Sequence, residues 1–140
     1  MSAAEFFLDT NILVYTFDQT APAKQTKAQA LLEQALMGNG CISFQVIQEF
    51  LNLALRKFNP PMSEAQAQRY LINVLEPLCT VYPDIALYQQ ALDVRQRWHF
   101  SFYDSVIIAA ALTAGCSILY SEDLQHQQQI DTLTILNPFL

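Results

Sequence analysis

The sequence predicts an α/β fold: a three-layer α/β/α arrangement around a mainly parallel sheet of four to five strands. Apolar runs of four to six residues alternate with helical stretches of ten or more, which is the βαβ pattern. The first run, EFFLD, is apolar throughout rather than alternating, as a strand buried on both faces is. The chain has 140 residues, 52% of them hydrophobic, with neither linker composition nor internal repeat, so it is read as a single domain, residues 1–140, around one core.

The elements follow in order. EFFLD is the first strand. NILVYTF continues it without punctuation and fits either strand or helix, with Thr10 or Asn11 available to cap a short helix. From Pro22 to Met37 the spacing of Ala28, Leu31, Leu32, Ala35 and Leu36 is helical, and GNG at 38–40 stops it. CIS at 41–43 is the second strand. Ser43 is placed to cap FQVIQEFLNLALRKF, in which Phe44, Ile47, Leu51, Ala54 and Phe58 share helical spacing. Pro60-Pro61 lies beyond that helix, and Ser63 with Gln66 forms a capping-box pattern opening the next, through about Leu75. CTVY is the third strand, and a helix runs from about Ile85 to Trp98. Ser101 opens the apolar helix FYDSVIIAAALTAG, SILYS (117–121) is the fourth strand, and LTIL (133–136) is a possible fifth.

Composition excludes several classes. The net charge of −6, from 13 acidic and 7 basic residues, disfavours a general nucleic-acid binder, which would carry a basic face. It leaves open an enzyme that meets a phosphodiester through bound cations. Cys41, Cys79 and Cys116 are far apart with no C-x-x-C spacing, so zinc and dithiol chemistry are set aside in favour of buried free thiols. MSAAEFFLD lacks a basic n-region, and the longest apolar run, around VIIAAALTAGCSILY, is too short for a membrane span. A soluble cytoplasmic protein without a membrane partner is expected.

Four carboxylates stand out. In open parallel sheets ligands bind outside the carboxyl ends of the strands. Asp9 ends the first strand and Asp123 lies just past the fourth, so parallel neighbours would bring both to one rim. Asp104 is in the first turn of the VIIAAAL helix, and Glu49 is one to two turns into the helix after the second strand. Each but Asp9 also has a plain structural reading. Asp104 can complete a capping box with Ser101, Glu49 can be a solvated residue beside Gln45, Asn52 and Arg56, and Asp123 can cap a short helix from Leu124 to Gln129. Asp9 sits between two apolar runs and needs hydrogen bonds, a partner or a metal to offset its burial. Asn11 is placed to orient it. Carboxylate oxygens suit hard divalent cations such as Mg²⁺ or Mn²⁺, and two such ions can activate water for phosphodiester cleavage without a side-chain nucleophile. The two histidines, His99 and His126, suggest no Ser-His or Cys-His arrangement.

LDTNILVY with Asp9, SFQVIQEF with Glu49, FSFYDSVIIAAAL with Asp104 and LYSEDLQ with Asp123 together resemble the PIN-domain ribonucleases, in particular the VapC toxins of bacterial toxin–antitoxin pairs. The resemblance covers nearly the whole chain. It implies that Asp9 and Asp104 are the principal metal ligands, that Glu49 and Asp123 complete the acidic set, and that Thr10, Asn11 and Ser121 support it. It also implies RNA cleavage with Mg²⁺ or Mn²⁺, a homodimer, and a small cognate antitoxin whose tail enters the active-site groove. The pattern departs at Gln127, where many relatives carry glycine. Candidate RNA contacts are Lys24, Lys27, Arg56, Lys57, Arg95 and Arg97.

Other readings have weaker support. A haloacid-dehalogenase-like phosphatase needs a second aspartate where Asn11 stands. A response-regulator receiver needs a lysine after its fifth strand, and no lysine or arginine follows Arg97. A PIN-like binding module without hydrolysis is the more serious alternative; the intact acids argue against it, and an activity assay decides. The segments Phe44 to Phe58 and Tyr70 to Leu78 are apolar enough to supply a dimer interface beyond the core.

Overall fold

The computed structural model describes residues 4–140. Six strands form one sheet: β1 (Phe6–Leu8), β2 (Gly40–Ser43), β3 (Cys79–Val81), β4 (Ile118–Tyr120), β5 (Gln129–Ile130) and β6 (Leu133–Leu136), in the order β3-β2-β1-β4-β6-β5. All neighbours are parallel except β5 and β6. The additional strand β5 is a two-residue edge, and one of its residues is polar, so it leaves no apolar run to read. The chain reverses into β6 through Asp131, which adopts φ 54.

Helices α1 (Thr10–Tyr15) and α2 (Pro22–Gln34) connect β1 to β2. Helices α3 (Phe44–Arg56), α4 (Glu64–Tyr70) and α5 (Glu76–Leu78) connect β2 to β3, and α6 (Ile85–Trp98) and α7 (Phe102–Thr113) connect β3 to β4. The chain steps outward from β1 to β3, then returns past β1 to β4. Right-handed crossovers in opposite directions put α1–α5 on one face and α6–α7 on the other, which gives the three layers. The strand order therefore switches at β1 and β4.

Several local expectations are corrected. NILVY is helical, and the residue that caps it is Asp9 itself, whose carboxylate accepts from the Thr10 backbone N–H. The α2 helix ends at Gln34, and a wide turn (Ala35–Asn39) closes at Gly38 with φ 103, a conformation open to glycine. The buried face of α3 is Val46, Phe50 and Ala54, rotated from the stripe read in the sequence; only Ala54 belongs to both. That helix carries apolar residues on several sides, so periodicity alone does not orient it. Ser43 precedes α3 as expected but makes no capping bond. The Ser63–Gln66 capping box is formed in both directions. No helix forms over 124–129.

The core is one cluster that includes Phe7, Leu8, Leu13, Phe50, Ile108 and Leu119, with all three cysteines buried and unbridged. Phe50, Ala54, Leu75 and Leu78 belong to it, so much of the two segments expected to form an interface is committed internally. Phe44 and Ile72 of those segments are exposed, and other large exposed apolar residues lie outside them, among them Tyr82, Ile85, Tyr88, Leu92, Phe102 and Tyr103. No helix of the described residues is long and apolar enough to cross a membrane.

Gly40 marks the closest approach around β1. A Cβ there would lie 2.3 Å from Cε1 of Phe6 and 2.8 Å from Cβ of Ala35. We expect Gly40→Ala to destabilise the fold by about 1–3 kcal/mol, as overpacking does. Urea denaturation would show this as a lower midpoint at unchanged slope.

Candidate active site

The site lies beyond the carboxyl ends of β1 and β4. Asp9 follows β1, and its backbone N–H donates to the Tyr120 carbonyl at 3.0 Å, which carries the ladder one residue past the strand. Its Oδ1 accepts from the Thr10 N–H at 2.7 Å, and its Oδ2 accepts from the Ser121 hydroxyl at 2.8 Å. Burial pushes the Asp9 carboxyl up to about 6 from 3.8, the two hydrogen bonds oppose the rise, and the charges of Glu49 and Asp123 add to it.

Glu49 reaches the same place from α3. Its Oε1 accepts from the Thr10 hydroxyl at 2.9 Å. Its carboxyl is also raised, chiefly by burial, with Asp104 and Asp123 contributing repulsion. Asp104 enters from the first turn of α7, where its N–H donates to the Ser101 hydroxyl at 3.2 Å. That is half of the capping box, and the carboxylate faces the cleft. Asp123 follows β4, accepts from Asn11 Nδ2 at 3.0 Å, and donates its N–H to the Ser121 hydroxyl at 3.2 Å. Ser121, fully buried, thus ties Asp9 to the Asp123 loop.

All four acids line one cleft of about 260 Å³, and no lysine or arginine lines it. Two larger clefts, of about 450 and 400 Å³, contain no carboxylate, so the smaller cleft is the chemical candidate. Of the expected supports, Thr10 holds Asp9 and Glu49 and Ser121 holds Asp9, whereas Asn11, expected to orient Asp9, instead holds Asp123. As placed, no three of the described Asp, Glu, His or Cys side chains converge on a single point.

A fifth acid escaped the sequence reading. Glu122 lines the cleft but bonds Lys24 Nζ and the Tyr15 hydroxyl, each at 2.6 Å. Burial would raise its carboxyl, yet those two bonds hold it below the usual range. Lys24 also lies over the Tyr15 ring, 5.0 Å from its centroid. The adjacent ED pair was the available signal, but it does not reveal that Glu122 is neutralised by a residue 98 positions away. Among the basic residues named for RNA contact, Lys24 pairs with Glu122, and Arg97 pairs with Asp93 and Asp131.

The fold and the site define a parallel α/β domain that gathers carboxylates at the switch point of its sheet. The chain belongs to the PIN-domain family, whose model matches residues 6–132. No curated protein matches it. Among solved structures it resembles a toxin–antitoxin complex from Klebsiella pneumoniae, with 20% identity, a TM-score of 0.69, and coverage of 96% of this chain and 98% of that one. It also resembles Mycobacterium tuberculosis VapC20, described as a sarcin–ricin-loop-cleaving toxin, with 19% identity, a TM-score of 0.58, and coverage of 85% and 90%. A third is VapBC2 from Rickettsia felis, bound to a promoter DNA fragment, with 18% identity, a TM-score of 0.62, and coverage of 93% and 96%. At these identities the likeness establishes the fold. Gln127, where the resemblance leads one to expect glycine, adopts φ 69, a conformation that favours glycine.

Asp9 makes the metal-free protein sensitive to pH. Its folded-state value of about 6 exceeds the ordinary 3.8, so the fold favours the protonated acid. The ionised form is therefore a destabilising contribution, full above about pH 6 and relieved as pH falls toward 3.8. That displacement is worth up to about 3 kcal/mol. In EDTA, Asp9→Asn should raise the melting temperature at pH 8 and progressively less toward pH 4. Equal gains at both ends would contradict the assignment.

Proposed function

We propose that the chain is a metal-dependent endoribonuclease that hydrolyses RNA phosphodiester bonds and acts as the toxin of a toxin–antitoxin pair. One observation carries the reading: Asp9, Glu49, Asp104 and Asp123 line a single cleft that no cationic side chain lines. Burial is the main reason that the Asp9 and Glu49 carboxyls are raised, their acidic neighbours add to the rise, and a divalent cation would offset both.

The donor chemistry fits Mg²⁺ or Mn²⁺: oxygen ligands only, with no thiol or imidazole lining the cleft. Asp9 and Asp104 would be the principal ligands, with Glu49 and Asp123 completing the set directly or through water. A divalent cation held there would supply Lewis-acid chemistry for water activation and charge stabilisation. The chain's own residues orient the acids. Ser121 and the Thr10 N–H fix both oxygens of Asp9, the Thr10 hydroxyl directs Glu49, and Asn11 restrains Asp123.

A toxin role is supported by likeness to one structure described as a toxin–antitoxin complex and another described as a toxin. The partners in this reading are an RNA substrate, a small cognate antitoxin and a second copy of the chain, in the cytoplasm. The carboxylates share the cleft without three of them converging, which favours a second reading: a PIN-like binding module without hydrolysis.

Cleavage of a structured RNA pool decides between them. Wild type with Mg²⁺ or Mn²⁺ should cut, and EDTA or Asp9→Asn should lower the rate at least about 100-fold, the scale on which loss of a metal-positioning group is felt. Mn²⁺ at 100 times its Kd should stabilise wild type by about 2.7 kcal/mol and Asp9→Asn by much less. Neither cleavage nor Mn²⁺ stabilisation would leave the binding module.

A further inference from the structure

A second cleft, of about 400 Å³, adjoins the acidic one, and Gln45 and Tyr103 line both. Its character is different. Phe44, Tyr88, Phe102 and Tyr103 contribute aromatic rings, and no charged side chain lines it. Tyr88 and Phe102 stack with their planes 12° apart and their centroids 6.4 Å apart, while Tyr103 is 69% exposed beside them. A planar ligand could extend that stack.

The floor carries unspent hydrogen-bonding capacity. Ser43 is 2% exposed, lines the cleft, and its Oγ has no partner. Gln45 uses its Nε2 on the Tyr103 carbonyl at 3.3 Å, while its buried Oε1 has no partner either. A buried polar atom left unpaired is destabilising, and such orphans in a native structure call for an explanation. Here a hydroxyl able to donate or accept and a carbonyl that only accepts belong to residues that line the same cleft as the stacked rings. An apolar face of a second copy would cover the rings and leave both atoms unpaired.

We propose that this cleft is a nucleobase subsite: it stacks one unpaired base of single-stranded RNA while the adjoining phosphodiester lies over the acids. The inference rests on the ribonuclease reading and adds a substrate requirement to it. A base fits on three counts. It is planar and uncharged, it stacks on aromatic rings, and its edge offers N–H donors for Gln45 Oε1 beside groups that pair with Ser43. A base held in a duplex could not enter, so cleavage would be confined to loops, bulges and ends. Tyr103, one residue before Asp104, ties the stacking surface to the acid nearest it in sequence.

The test is binding without cleavage. A short single-stranded RNA with one 2-aminopurine is titrated into the full chain in EDTA, with light scattering on the same samples. Wild type should quench the base analogue and bind the strand more tightly than its duplex. Tyr88→Leu should lower affinity about tenfold and relieve the quenching. Ser43→Ala removes only a hydroxyl, and it should lower affinity roughly fivefold. A purely structural Ser43 would leave affinity unchanged in that variant. Ser43→Ala decides the matter should Tyr88→Leu fail to fold. Unchanged affinity and quenching in the folded variants overturn the subsite. So does conversion of a dimer to a monomer with RNA affinity intact, which would assign the face to a second copy. Base quenching without metal-dependent cleavage would overturn the ribonuclease reading and leave the subsite standing.

Discussion

The parallel pairing of β1 with β4 is the constraint on which the rest depends. Phe6, Phe7 and Leu8 sit opposite Ile118, Leu119 and Tyr120, and the Asp9 N–H continues the ladder to the Tyr120 carbonyl. A slip of one residue would turn every side chain to the other face and part Asp9 from Ser121. In the observed register the last core residues of both strands give way at the same level to Asp9 and to Ser121–Glu122–Asp123. The two strands belong to different halves of the crossover pattern, so the crevice between their ends is open, and α1, α3 and α7 close around it.

Within that crevice the carboxylates are held by groups chosen for size as much as polarity. Thr10 is nearly buried and reaches Glu49 with its hydroxyl while its N–H serves Asp9. Asn11 spends both ends of its amide on the Asp123 loop, donating to Asp123 and accepting from the Glu122 N–H at 3.3 Å. Glu122 is drawn aside by Lys24 and Tyr15, and Lys24 is thereby occupied. The result is a cleft whose remaining negative charge is concentrated on four acids from four elements.

Most of this architecture was legible in the sequence because the signals were local and strong. The parallel strands are short continuous apolar runs, and helix α7 has a clear cap at Ser101. The acids were legible because each interrupts or borders an apolar segment. What escaped was set by tertiary context. The orientation of α3 could not be read because Phe44, Val46, Ile47, Phe50 and Leu51 place apolar side chains around much of the helix, and only packing selects Val46 and Phe50. Strand β5 exists because β6 offers it an edge, not because Gln129 favours a strand. Asp9 as its own helix cap needed knowledge that the chain turns helical at once, which an apolar NILVY does not disclose. The Lys24–Glu122 pair spans most of the chain and leaves no mark in local composition.

The placement of β1 at the centre of the sheet also sets the order in which the molecule can be completed. β1 emerges first from the ribosome, yet its β4 partner comes more than a hundred residues later; Ser121 is 112 positions from the Asp9 it holds. Contacts of such separation form late because the intervening loop must close before they contribute. A chain halted before β4 has Asp9, Glu49 and Asp104 but neither Ser121 nor Asp123, and one flank of β1 is bare. The set of four acids is thus complete only once β4 and the loop after it are in place.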